Sequence, residues 1–504
     1  MQGFLNYLPY LCRLATKEMN IRQTLTLLVL LLLACQEAVS ENVPAPQKQR
    51  ELSEHTLVDI LEESHYTPGE FAKALGSPSL MAMLEDMQPK SSPWIRSLFK
   101  AKVHSLLPDL DARFAKESGL SFKRSWEIQS YTFTYISETV DGRKITMSGR
   151  VTFPNYKEGG RTHQVKTLTL HTHQAFLFPE WAPSQSLMFM PVKAMWDSAV
   201  IEPDLQKWGI NFTKEHDGGG SAFHMARQLA DCTVAALEVM RQHGVTLAPK
   251  GYSNNWGSSQ GAVPALNFAK WYDTEAPQWF KDAVRLRATF TGEGATEWSQ
   301  FMEYNYQHPE MIDPDLVVLA GYFKAFTQEQ LGGYKPEEFV NQWFTDTKLT
   351  IEGREYPFLD VVSYFTPRET GPYSKKMTSY SQVYAPDMIR ADGEVDRNSP
   401  KVRAWLDCLH QYNSLEDWTP RHQIYIAHCK QDDMIPFYTA HNQYLTISNQ
   451  GKNRNVHMLS VPAFKMIPRK GMSPHLVIAF MVQVNMAFAG EDPSDMTRLY
   501  RPVR

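Results

Sequence analysis

Gly257-Ser258-Ser259-Gln260-Gly261 is the stretch on which the fold turns. It has the spacing G-x-S-x-G, with Ser259 at its centre. A serine held on a sharp strand-to-helix turn needs small residues two positions before and after it, because side chains there would fill the space that the turn closes. Such a turn lifts the hydroxyl above the end of a sheet. It also aims the N–H of Gln260 at an oxygen that gains negative charge during acyl transfer. Glycine and serine are common residues, so the five letters decide nothing alone. Their flanks add weight. Residues 252–256 read as a strand, polar for a buried one at Ser253-Asn254-Asn255, and 261–272 as a helix with Pro264 in its first turn, where proline is tolerated.

Further out, Tyr131, Phe133 and Tyr135 alternate with polar residues, and Ile145, Met147 and Val151 do so roughly beyond Asp141-Gly142. Asp-Gly between alternating runs predicts a hairpin. Residues 166–170, 198–202, 287–291, 423–427 and 456–461 read as further strands. Residues 223–243 carry a long helical pattern closed by Gly244, and 475–489 a final apolar helix. An antiparallel hairpin followed by strand–helix alternation predicts an α/β fold, a mostly parallel sheet with helices on both faces. The alternation stops between 293 and 419, a stretch rich in aromatics and proline with helical pieces such as 315–326. It reads as an insertion that caps the carboxyl end of the sheet, with both of its junctions near the end that carries Ser259.

Two later motifs complete the elbow. After the strand at 423–427 comes His428-Cys429-Lys430-Gln431-Asp432-Asp433-Met434-Ile435-Pro436. A carboxylate on the loop past a strand end suits the acidic member of a triad, which fixes a histidine tautomer and balances the imidazolium. Asp432 is the first choice and Asp433 the second. Ser473-Pro474-His475 follows the last strand and opens the last helix, which places an imidazole opposite the elbow as a general base. The chain order is Ser259, Asp432, His475, with 173 residues in the first interval and 43 in the second. The first is long because the insertion lies inside it.

With these motifs in order, the chain resembles the α/β-hydrolases. More narrowly it is similar to the bacterial secretory-lipase-like branch of serine esterases. Besides the elbow, the carriers are Pro203-Asp204-Leu205 with Trp208-Gly209, Asn413-Ser414-Leu415 through Trp418-Thr419-Pro420, and the segment 432–436. The resemblance implies ester hydrolysis of a small-molecule substrate without a cofactor or metal. The family places a His-Gly pair after the third strand to supply an oxyanion N–H. Here Thr172-His173-Gln174-Ala175 stands in its place, without glycine, and Gln174 is the candidate for the second donor beside Gln260. A peptidase on the same fold, and a catalytically silent surface protein that binds a partner, are the competing readings.

The remaining sequence bounds these readings. A net charge of −4 over 504 residues gives no footprint for nucleic acid, and 43% hydrophobic residues allow a sizeable core. The five cysteines form no C-x-x-C pair, which argues against structural zinc. Residues 25–33 are a short apolar run after Arg22, too short to span a bilayer and suited to a secretory signal. It ends Leu32-Leu33-Ala34-Cys35, which resembles a lipobox whose cysteine receives a membrane anchor; Ala38-Val39-Ser40 is the rival cleavage site, and Met19 a better-placed start. The expected organisation is a signal over 1–40, a helical extension over 41–127 with an amphipathic helix beginning at Thr56, a first core segment over 128–292, the cap over 293–419 and a second core segment over 420–504.

Overall fold

The computed structural model describes residues 51–75, 126–156, 163–174, 182–187, 190–205, 209–211, 221–294, 297–308, 321–351, 354–361, 379–432, 435–462, 474–489 and 491–503. The signal region with Cys35, the helical pattern expected beyond Leu75 up to 107, Trp208, residues 315–320, Asp433 and Ser473 lie outside these residues.

Ten strands form one mixed sheet in the order β1-β2-β3-β5-β4-β6-β7-β10-β11-β12. They are β1 Leu57–Tyr66, β2 Trp126–Glu138, β3 Lys144–Tyr156, β4 His163–Thr172, β5 Ser198–Pro203, β6 Val245–Ser258, β7 Leu286–Gly292, β10 Gln423–Cys429, β11 Val456–Val461 and β12 Arg501–Pro502. A small separate hairpin joins β8 Lys348–Ile351 to β9 Arg354–Pro357. β5, β4, β6, β7, β10 and β11 run parallel to one another, while β1, β2 and β3 pair antiparallel at one edge and β12 at the other. The β2–β3 hairpin turns where Asp141-Gly142 places it, with Glu138 opposite Lys144 and Gly142 at φ 80°.

Alternation along the strands divides the core. Ile424 and Ile426 of β10 pack with Leu266 and Ala269 of the helix Ala262–Thr274. Their neighbours Tyr425 and Ala427 face the opposite side, with Ile478 and Val482 of the helix Pro474–Phe488. The helix Ala222–Gln242 buries Leu229, Ala236 and Val239 against Tyr131, Phe133 and Leu170, and ends at Gly244 with φ 72°. Helices therefore cover both faces, as a parallel sheet requires. The polar run in β6 is satisfied only in part: Asn255 Nδ2 donates to the Ala265 carbonyl at 2.8 Å and Asn254 Nδ2 to the Glu491 carbonyl, while Ser253 Oγ, Asn254 Oδ1 and Asn255 Oδ1 are buried without a partner among the described residues. The two amide donors tie the strand to the helix after the elbow and to the segment at 491.

Two expectations are corrected. Residues 57–66 are not a helix but the strand β1, paired antiparallel to β2. The apolar positions 57, 58, 60 and 61 imitate helical spacing because β1 carries register shifts between Leu57 and Asp59 and between Ile60 and Glu62. A bulge advances the face by one residue, so Leu57 and Ile60 both reach the core although they are three apart. Val58 and Leu61 stay outside, 53% and 51% exposed. Second, the segment 293–419 leaves the sheet beside the elbow but does not return there. Gly292 pairs with Ser258, whereas Gln423 pairs with Ala288 at the start of the parallel strands. A strand parallel to β7 must begin at the end opposite to the one where β7 finished. The short helix Pro68–Leu75, by contrast, does bury Phe71 and Leu75 as expected of that pattern.

The bulged register separates two neighbouring side chains. Ile60→Asp should cost about 1–2 kcal/mol of stability, because it places a charge on the core face. Val58→Asp should stay within about 0.5 kcal/mol of the parent. Chemical denaturation of the two variants measures the difference; equal losses would mean that 57–66 does not present the faces described.

Candidate active site

β6 ends at Ser258, residues 259–261 make one tight turn, and the helix begins at Ala262. Ser259 is in the left-handed region, with φ 50°. For a residue with a side chain this costs on the order of 1–3 kcal/mol and persists only where the surroundings enforce it. The enforcement is visible in the two glycines. A Cβ on Gly257 would run into the Gly261 carbonyl, and one on Gly261 into the carbonyl oxygens of Thr172 and His173. Backbone thus packs directly on backbone, and the Thr172 hydroxyl seals the contact by donating to the Gly261 carbonyl at 2.7 Å.

The strained turn presents Ser259 Oγ to His475. Ser259 Oγ and His475 Nε2 lie 3.0 Å apart, and His475 Nδ1 is 2.7 Å from Asp432 Oδ2. His475 comes from the first turn of the helix Pro474–Phe488, and Asp432 from the loop after β10. The loop holds its aspartate by a backbone bond: the Ile435 N–H donates to Asp432 Oδ1 at 2.7 Å. His475 and Asp432 are buried at 2% and 5% exposure, while Ser259 is partly open. Burial pushes the Asp432 carboxyl up, but the charge and hydrogen bond of His475, with the Ile435 N–H, outweigh it and hold Asp432 below the usual carboxylate range. An ionised Asp432 accepts from Nδ1–H, and that leaves Nε2 as a lone pair facing the serine hydroxyl.

Gln260 occupies the turn directly after Ser259, and Gln174 is buried two residues beyond the end of β4. The contact of Gly261 with the carbonyls of 172 and 173 brings these two segments together. Sequence reading passed over His173. Its ring lies between two loops, with Nδ1 2.6 Å from the Gln174 carbonyl and Nε2 2.7 Å from the Asp204 carbonyl. Burial pushes this imidazole down to about 4 against the pull of both carbonyls. Asp204 in turn is wholly buried, accepting the Ser148 hydroxyl and the Ser184 N–H, the latter at 2.8 Å. The Pro203-Asp204-Leu205 segment is therefore a brace for the loop that carries Gln174. Its signal in the sequence was the unbroken Thr172-His173-Gln174 run after a strand. Behind Asp432, Glu293 and His428 form a second buried group that the sequence reading did not single out. Cys232, Cys408 and Cys429 are buried free thiols. Among the described residues, Glu293, His428 and Asp432 are the set of side chains spaced to hold a metal ion, and Asp432 is already engaged by His475.

No protein-family model matches the chain, and no curated protein matches its sequence. Solved structures do match in shape. The rice cell wall degrading esterase LipA from Xanthomonas oryzae superposes with a TM-score of 0.58 at 15% identity, over 88% of this chain and 97% of that one. Its ligand-bound form gives 0.54 at 14% identity, over 88% and 97%. A presumed hydrolase from Legionella pneumophila gives 0.52 at 15% identity, over 85% of this chain and 97% of its own. At such identity the likeness concerns the fold, and the fold is that of the α/β-hydrolases.

The backbone contact at the elbow makes a direct prediction. Gly261→Ala should lose on the order of 2–4 kcal/mol or fail to fold, because neither carbonyl it meets can swing away as a side chain would. Urea denaturation measures it; a fully stable Gly261→Ala would show that the two backbones are not in contact.

Proposed function

We propose that the protein is an exported serine hydrolase that cleaves carboxylic esters through an acyl-enzyme. The observation that carries this reading is the chain of contacts Ser259 Oγ to His475 Nε2 at 3.0 Å and His475 Nδ1 to Asp432 at 2.7 Å. His475 takes the Ser259 proton as Oγ attacks the ester carbonyl, and returns it to the alkoxide leaving group. Asp432 keeps the imidazolium oriented and balances its charge. Water then repeats the sequence on the acyl-serine, with His475 first base and then acid. Backbone N–H groups of Gln260 and Gln174 are the proposed donors to the tetrahedral oxyanion; the former follows the nucleophile directly, and the latter stands on the loop packed against Gly261.

The neighbours include an esterase that degrades the rice cell wall. That supports ester over amide chemistry here, as an inference from fold. Paired tests with p-nitrophenyl esters and aminoacyl anilides separate the two chemistries. Ser259→Ala should lower kcat by about 10⁴–10⁶-fold with an unchanged fold. Asp432→Asn should impair turnover far more than Asp433→Asn, since Asp432 is bonded to His475. Equal losses would move the acid to Asp433, and full activity of Ser259→Ala would remove the serine from the mechanism.

The segment 293–419 is proposed to cap the pocket. It begins at the elbow, where a Cβ on Gly294 would come within 2.7 Å of the Ser259 carbonyl. Tyr306, Phe323, Phe326 and Trp405 are buried in the segment's own core, with Phe323 ring centroids 4.8 Å from Phe339 and 4.5 Å from Trp405. Tyr304 instead stacks on Tyr438, six residues past Asp432 and 52% exposed. Tyr304→Ala should raise KM or alter chain-length preference with little change in kcat, because it would bind substrate and transition state alike. A kcat loss without a KM change would argue against a capping role.

No described helix is long and apolar enough to cross a membrane. Export and attachment through Cys35 rest on the amino-terminal sequence. Mass spectrometry of the mature terminus tests them: a diacylated Cys35 is expected, and an unmodified terminus at Glu41 would assign the other cleavage site.

A further inference from the structure

Behind the triad acid lies a pocket of buried charge that the mechanism above does not use. Glu293 is the first residue after β7, and His428 and Cys429 close the neighbouring β10. Glu293 has φ 49°, a left-handed conformation unusual for a glutamate, and its N–H donates to the Ala427 carbonyl at 3.0 Å. The strained backbone turns the side chain inward between the two strand ends. Glu293 and His428 are fully buried, and with Asp432 they place one donor atom each within 4.8 Å of the others. Two ionised carboxylates this close, shielded from water, would repel each other strongly.

The donors around them are unequal. Asp432 receives the Ile435 N–H and the His475 ring. Glu293 Oε2 receives the Cys429 N–H at 3.2 Å, and its Oε1 has no partner among the described residues. His428 is a poor source of charge: its Nε2 sits 2.8 Å from the Ile435 carbonyl and donates to it, and burial pushes the imidazole down against the pull of Asp432. Its Nδ1, 3.7 Å from Glu293 Oε2, is then a lone pair. Among the described residues, the ionisable groups around Glu293 are Asp432, His428, Cys429 and Tyr500, with His475 beyond Asp432, and none of them is a permanent cation.

We propose that Glu293 stays protonated at neutral pH and donates its hydroxyl to the Asp432 carboxylate, acting as a positioning residue for the triad. The pair then carries one negative charge, which matches the one positive charge that forms on His475 during turnover. A second negative charge would leave the site one charge in excess even when His475 is protonated. Burial and the nearby Asp432 both push the Glu293 carboxyl well above the usual range, consistent with this assignment. The proposal rests on the triad reading for its role in turnover, but the protonation state is measurable without it.

Infrared spectra of the full chain carrying ¹³C-glutamate test the proton directly. Glu491, the other described glutamate that burial pushes up, is replaced in this sample as Glu491→Gln so that it contributes no band. A protonated-carboxyl band should be present at neutral pH, and its absence overturns the proposal. A stoichiometric divalent metal in the purified chain, found together with loss of activity on chelation, would also overturn it, since a metal would then neutralise the site. In turnover, Glu293→Leu should lower kcat about ten- to hundred-fold, and Glu293→Gln, whose amide can still donate, should recover most of that loss. The acid limb of the kcat/KM profile should stay in place for Glu293→Gln. If Glu293 were ionised, removing its charge would move that limb down by about one pH unit, which is the opposing result. Full activity of Ser259→Ala would end the triad reading yet leave the infrared result standing.

Discussion

The site depends on one close approach, the packing of the Gly257–Gly261 backbone on itself and on the end of β4. No side chain fits between Gly261 and the carbonyls of Thr172 and His173, so the turn can be no wider than two peptide planes allow. This contact holds Ser259 at its strained φ, brings the loop bearing Gln174 against the elbow and starts the following helix at Ala262. The strain is local, and the packing that maintains it is spread over β4, β6 and β7, which pair in register up to their ends.

Several buried polar groups sit where a specific partner waits. Asp432 lies behind His475 with a backbone donor on its second oxygen. Asp204 is closed off by Ser148 and Ser184, and Asn254 and Asn255 reach backbone carbonyls of neighbouring segments. Such groups cost little once bonded and are expensive when a partner is lost. They also fix which loop meets which strand end. The arrangement at 293, 428 and 432 extends the same logic to the carboxyl ends of β7 and β10, which are neighbours only because the sheet is parallel there.

The segment between β7 and β10 shows how an insertion can be large without disturbing the sheet. The two strands pair from Ala288 with Gln423 to Gly292 with Ala427, although the chain between them spans the whole aromatic segment. That segment has its own ring cluster around Phe323, Phe339, Tyr384 and Trp405. Long closures of this kind add little entropy cost per added residue, so the sheet tolerates them.

The glycine-framed turn at Ser259, the loop positions of Asp432 and His475, the Asp-Gly hairpin and the parallel strands after it were legible in the sequence, because each is a local pattern with a local cause; the two-residue edge strand Arg501–Pro502 was not. Glycine spacing, strand alternation and a carboxylate or histidine just past a strand end are consequences of backbone geometry over a few residues. The strand at 57–66 was not legible, since its two bulges shift the apolar positions into a helical rhythm that only pairing with β2 explains. Nor was the return of the long segment at the far end of the sheet, which follows from β7 and β10 being parallel. By sequence Asp432 was the first choice and Asp433 the second; the bonds of Asp432 to His475 and to the Ile435 N–H come from folding alone. His173, His428 and Glu293 were missed because their roles depend on residues far along the chain. Sequence by itself determined which residues could carry the chemistry; the tertiary structure decided which of them meet, because only the paired strand ends bring 172–174, 259–261, 293, 428, 432 and 475 within hydrogen-bonding or van der Waals reach.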